Sequence, residues 1–202
     1  MSAPQPESPL PVGRRERKKA RTRAAIQHEA LRLFGEKGYD RTTMEEIAEA
    51  ADVSASTLFR HFSSKEALVL TDEYDPLIID ACRAQPAELG AIEAIRHGLR
   101  EVFGQVSQEA LADIRVRAEL AVRVPDLRAA MLDQLAQATR DVTGVVAERA
   151  GRASDDFAVA TLAGAILGVM LSAELYWVEN PQSELFALLD NALAQLEGGL
   201  RL

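Results

Sequence analysis

The 202-residue chain holds a single cysteine, Cys82, so no intrachain disulfide can staple it, and a reducing compartment suits it. Histidine is nearly as scarce. His28, His61 and His97 are the only three, none stands in an HExxH arrangement, and there is neither a paired cysteine nor a phosphate-binding loop. Nothing sets a nucleophile beside a base at a recognisable spacing. The expectation is therefore no catalytic residue, no metal and no cofactor. The opening stretch MSAPQPESPLPVG lacks the apolar run of a secretory signal and reads as a flexible leader. No segment alternates polar and apolar as a half-buried strand does, and no internal repeat is present. One charge-free stretch, Phe157 to Ala173, is opened by Asp155 and Asp156 and closed by Glu174. It is short for a membrane span, and a buried helix in a soluble, cytoplasmic protein is expected instead.

Hydrophobic residues make up 48% of the chain, enough to build one or two cored domains. The net charge of −8 is unevenly spread. Residues 1–66 carry 12 Lys/Arg against 10 Asp/Glu, whereas residues 67–202 carry 11 against 21. Seven basic residues crowd Arg14–Arg23 (Arg14, Arg15, Arg17, Lys18, Lys19, Arg21, Arg23), with Glu16 the one acid among them. Such a block on an acidic protein suits a confined polyanion contact, and equally a solvated tail.

Helix signals run through the whole chain. The first helix is expected over Lys18–Lys37, with Ile26, Ala30, Leu33 and Phe34 on one face and Gly38 as its stop. Thr42 or Thr43, each followed three residues later by Glu45 or Glu46, opens a second helix through a capping box. Ser54 caps a third, whose Leu58 and Phe62 face inward, and Ser63 with Glu66 opens a fourth. Pro76 should kink that fourth helix near its middle, freeing the Asp72 carbonyl and making a pivot. Five further helices are expected over 87–106, 108–124, 125–150, 154–179 and 182–197. The chain thus reads as all-α with about nine helices: a basic leader (1–17), a small bundle (18–66) and a larger bundle (67–202).

The turn Ala51–Ser54 is too short for two helices to pack antiparallel, so they must cross steeply, as in a helix-turn-helix. That leaves the short third helix projecting, with small polar side chains outward, a shape that suits the DNA major groove. The stretch RAAIQHEALRLFGEKGYDRTTMEEIAEAADVSASTLFRHFSSKEAL resembles the DNA-binding domain of TetR-family transcriptional regulators, over about the first quarter to third of the chain. The resemblance implies a dimeric, ligand-responsive regulator, most often a repressor, whose effector shifts the spacing of its two recognition helices. It implies that Thr43 caps the second helix and touches phosphate. Ala55, Ser56, Thr57 and Arg60 stand at groove-facing positions, His61 and Lys65 stand at phosphate-facing ones, and Ser54 at the cap of the third helix counts among the DNA-binding residues. Phe59 replaces a commoner tyrosine, which points it toward packing. Glu45 reads as a cap through Thr42 or as an acceptor for a cytosine amino group. Arg14, Arg15, Arg17, Lys18 and Lys19 can lie along the DNA backbone or reach into the minor groove as an arm.

The second bundle resembles the TetR subgroup that includes the regulator of the mycofactocin system. The resemblance rests on Arg115 or Arg117, the VPDLRA turn and Trp177. It implies an acyl-CoA-like effector, with Phe103, Arg115, Arg117, Arg123 and Trp177 as candidate contacts. Arginines at that spacing also suit a solvated face paired with Glu119. Gly164 and Gly168, four apart, allow a close helix approach, which also serves ordinary packing. The resemblance implies that the last two helices form the dimer interface, with Gly164, Gly168, Leu185 and Leu189 as candidate contacts. The competing readings are an all-α enzyme and a membrane-surface protein that uses the basic block and the apolar helix.

Overall fold

In the computed structural model the described residues, 14–71 and 74–200, form ten α-helices with no strand among them. These are α1 (Arg14–Lys37), α2 (Met44–Ala50), α3 (Ala55–His61), α4 (Lys65–Leu70), α5 (Tyr74–Ala84), α6 (Ala91–Phe103), α7 (Gln108–Arg123), α8 (Pro125–Ala150), α9 (Phe157–Glu179) and α10 (Leu185–Glu197). The chain divides into two units, Met1–Leu68 and Val69–Leu202.

In the first unit, α1 buries Ile26, Ala30, Leu33 and Phe34. Gly38 stops it with a φ of +88°, its N–H donating to the Phe34 carbonyl at 3.0 Å. A side chain there would strain the left-handed backbone. α2 opens on the capping box of Thr43 and Glu46, with bonds of 3.0 and 3.2 Å. The turn to α3 places Asp52 at a φ of +52°, a conformation that aspartate tolerates better than bulkier residues. Ser54 then caps α3 by accepting from the Thr57 N–H.

Two local expectations need correction. Ser64, not Ser63, caps α4, accepting from the Ala67 N–H at 3.3 Å. Thr42 caps nothing, because its buried hydroxyl donates to the carbonyls of Leu33 and Gly38. Glu45 is therefore simply exposed on the first turn of α2.

Pro76 is the larger correction. The helix expected to run through it stops at Leu70, and a separate helix starts at Tyr74. Pro76 falls in the first turn of α5, where a backbone N–H has no intrahelical partner and its loss is harmless. The break supplies the tenth helix. A pivot at a kinked, continuous rod has no basis here, and Asp72 lies outside the described residues.

In the second unit α5 packs on α6, α8 on α9, and α9 on α10. Pro125 is the first residue of α8, and Gly151 ends it in the left-handed region. The core joins Cys82, Leu99, Val145, Ile166 and Leu193. Burial pushes the Cys82 thiol up to about 11, so it packs as an apolar group. Arg149 ties α8 to the α5–α6 connection. Its Nη atoms donate to the carbonyls of Cys82, Gln85, Pro86 and Leu89. α5 and α6 cross where Gly98 faces Cys82 so closely that an added Cβ would lie 2.7 Å from Sγ and 2.8 Å from the Cys82 nitrogen. Because that nitrogen is backbone, rotamer changes cannot relieve the clash. Gly98→Ala should cost about 1–3 kcal/mol, read from urea unfolding midpoints. An unchanged midpoint would show that this crossing can open at no cost.

Candidate DNA-reading helix and ligand cavity

α3 has only seven residues, too few to stay helical unsupported. Leu58 and Phe62 are buried on its inner side. At its N-terminus the Ser54 hydroxyl meets the Thr57 N–H and lies 3.0 Å from the hydroxyls of Ser56 and Thr57. At its C-terminus Arg23 of α1 donates to the His61 carbonyl at 2.8 Å, and its guanidinium stacks on the Phe62 ring at 4.2 Å. A cation on the last carbonyls of a helix also complements its dipole. Arg23 is thus a clamp, although it ends the basic block that reads as a nucleic-acid contact.

The outer face of α3 carries Ala55, Ser56, Phe59 and Arg60, all exposed, with Thr57 half-buried. Arg60 leans back along the helix, Nη2 lying 3.4 Å from the Thr57 hydroxyl. Phe59 is 50% exposed, which corrects its expected packing role: Leu58 and Phe62 fill the interior and leave Phe59 outside. Lys65 has a structural task beside the phosphate-facing role expected of it. Its ammonium donates to the carbonyls of Tyr39 and Thr42 at 3.0 and 3.3 Å and sits over the Tyr39 ring, joining the start of α4 to the turn before α2. Thr43 is exposed beside its capping bonds.

The backbone is helical from Arg14, so the basic block forms the first turns of α1 and is not an extended arm. The expected leader accordingly ends before Arg14. Lys18 and Lys19 are exposed. The side chains of Arg14, Arg15 and Arg17 lie outside the described residues.

The second unit encloses a cavity of about 300 Å³. Phe103, Ile114, Met131, Met170, Trp177 and Leu189 are among its apolar walls. Of the five expected ligand contacts, Phe103, Arg117 and Trp177 line it. Arg115 does not, because it stacks on Trp177 at 4.0 Å and donates to that residue's carbonyl, holding the end of α9. Arg123 is exposed and paired with Glu119 at 3.8 Å, the solvated-face alternative. Sequence reasoning missed Met131, Met170 and Glu174. The last two continue a spacing with Leu167, Leu171 and Trp177 that marks one side of α9. Among the described residues no group of three His, Cys, Asp or Glu side chains could hold a metal ion.

α9 is long and apolar enough to cross a membrane by length and composition. Its burial is one-sided. Val159, Ala163, Ile166, Ala173 and Trp177 face inward, whereas Gly164 and Gly168 are exposed, with no atom within 4 Å of an added Cβ. Leu185 and Leu189 do not share that outer face. With Leu193 they repeat every fourth residue on the inner side of α10, buried in the core, and the outward positions hold Ala187, Asn191 and Gln195.

A clamped helix with a largely polar outer face in one unit, together with a cavity in a second helical unit, is the make-up of a ligand-responsive DNA-binding regulator. Comparison with known proteins agrees. Residues 26–71 match the model of bacterial regulatory proteins of the tetR family, and residues 89–201 match the MftR C-terminal domain. The HTH-type transcriptional regulator TcmR of Streptomyces glaucescens is 35% identical over 156 residues, 74% of this chain and 69% of that one. The MftR regulator of Mycobacterium tuberculosis is 28% identical over 194 residues, 94% of each chain. Among solved structures, the TetR-family repressor FadR of Thermus thermophilus, in complex with lauroyl-CoA, shares the fold. Its TM-score is 0.55 and its identity 24%, over 89% of this chain and 95% of that one. The chain belongs to the TetR family of bacterial transcriptional regulators.

His61 supplies a pH test of the clamp. Its Nδ1 is buried without a partner, and burial first, then Arg60, Arg23 and Lys19, lowers its pKa below the ordinary 6.5. The unfolded chain therefore takes up a proton at His61 before the folded one does. The stability contributed by neutral His61 is full above about pH 6.5 and falls as the pH drops below it. Intrinsic amide exchange slows as the pH falls. Once that slowing is divided out, the protection of the α3 amides should show an excess loss between pH 7.5 and 5.5, above the range of the carboxylates. His61→Gln should remove that excess. An excess unchanged in the variant would assign it elsewhere.

Proposed function

We propose that the protein is a homodimeric, cytoplasmic repressor that binds operator DNA through α3 and is released when a small, largely apolar effector fills the cavity of the second unit. One observation carries this reading. In a helix of seven residues Leu58 is buried, as is Phe62 at its C-cap, while Ala55, Ser56, Phe59 and Arg60 are presented outward. Small side chains let the backbone approach base edges, and Arg60 can span the O6 and N7 acceptors of a guanine. Lys18 and Lys19 on α1 suit phosphate contacts. No catalytic step is assigned to the chain.

Release by effector is a coupling between two sites, so operator DNA weakens effector binding by the same factor. The cavity's apolar walls fit a chain or fused-ring effector. Support for an acyl-CoA effector comes from the ligand of a protein alike in fold, and of the three expected arginines only Arg117 lines the cavity, Arg115 and Arg123 lying outside it. For dimerisation, the exposed Gly164 and Gly168 ridge on α9 supports a close helix contact between two copies, with Ala187 and Asn191 of α10 also outward.

Selecting bound DNA from a random library supplies the operator. Arg60→Ala should then lower affinity for that operator by about 1–3 kcal/mol and leave affinity for scrambled DNA nearly unchanged. Equal losses on both would make Arg60 a phosphate contact. On an exposed helix face Gly168→Leu would stabilise a monomer by helix propensity, but at a close-packed interface it would break the dimer. Sedimentation should show monomer, and an intact dimer would take Gly168 out of the interface.

A further inference from the structure

The cavity's polar lining is unbalanced. Tyr74, Asp75, Arg117, Gln134 and Glu174 supply it, so two carboxylates meet one guanidinium. Arg117 is buried, and its Nη1 already donates to the Thr71 carbonyl at 3.0 Å. Asp75 and Glu174 are exposed, as are the apolar Leu135 and Leu175 of the same lining, and together they mark the opening. However these three ionic groups pair among themselves and with neighbours, the lining sums to one negative charge. The rest of this region deepens the imbalance, since residues 67–202 hold 21 acidic against 11 basic side chains.

An anion entering such a site loses its hydration and meets a lining with more carboxylates than guanidinium groups. A protonated amine meets the opposite situation: its apolar body replaces water against Phe103, Met131 and Trp177, and its charge is drawn to the carboxylates at the opening. Resting on the cavity as the effector site, we infer that the effector is a cationic amphiphile, with its protonated amine facing Asp75 and Glu174, and not a fatty acid or an acyl-CoA.

Trp177, the single tryptophan, lines the cavity, so its emission reports entry directly. Dodecylamine, dodecanol and dodecanoate would be titrated at pH 7 into the full-length protein, below their self-association limits, with lauroyl-CoA as a fourth probe. The amine should bind tightest, about tenfold tighter than the carboxylate, with a preference that shrinks as salt is added. Asp75→Asn with Glu174→Gln should bring amine and carboxylate to within about twofold, and Glu174→Gln alone should move part of the way. Dodecanol, dodecanoate or lauroyl-CoA binding as tightly as the amine would overturn the charge assignment and leave the cavity as the effector site. No response of Trp177 to any of the four would overturn both.

Discussion

A helix of seven residues cannot hold itself together in water, and the first unit is organised around that constraint. α3 is helical because both of its ends and one of its sides are held. The Ser54 hydroxyl accepts from the Thr57 N–H, Arg23 takes up its last carbonyl, and Leu58 and Phe62 bury their side chains. Those holds use everything on the inner side and none of the outer side. The outward residues are therefore free to be chosen for a nucleic-acid surface, with no packing demand on them. The same constraint sorts the cations. Arg23 and Lys65 each donate to backbone carbonyls, while Arg60, Lys18 and Lys19 are exposed at the surface.

In the second unit, α9 answers two demands with its two sides. Its inner side fills the core and walls the cavity, and its outer side is built of small residues around Gly164 and Gly168. A helix that is apolar all round is what a sequence window through Phe157–Ala173 detects. Such a window cannot separate a core face from a face awaiting a second copy or a lipid surface. The family settles which class of protein carries the helix, and the exposed glycines suggest why its outer side carries no charge through the middle.

The sequence was most legible where a single residue type has one local task. Thr43 with Glu46, Ser54, Gly38, Pro125 and Gly151 all punctuate helices where their chemistry requires, because caps and left-handed stops depend on neighbours three or four residues away. It was least legible where one residue type has two good uses. Lys65 and Arg23 are cations beside a DNA-reading element, so they read as phosphate contacts, and only the fold shows carbonyls within their reach. Pro76 suits a kink or a first turn equally, and the choice depends on where the preceding helix stops. Leu185 and Leu189 mark an apolar stripe, but periodicity does not say which partner the stripe faces. The cavity's carboxylates come from helices far apart in sequence, and nothing local brings them together.

The central claim is that the cations of the first unit divide into those that hold the fold around α3 (Arg23 at its last turn, Lys65 between α4 and the turn before α2) and those that meet DNA. Counterion release counts the second kind, since each phosphate neutralised adds about 0.9 to the slope of log affinity against log salt. That slope would be measured on the selected operator for wild type, Arg23→Met, Lys65→Met, Lys18→Ala and Lys19→Ala. The account predicts weaker binding with an unchanged slope for Arg23→Met and Lys65→Met, and a lower slope for the lysine variants of α1. A slope lowered by about one unit in Arg23→Met, with wild-type protection of α3, would contradict it.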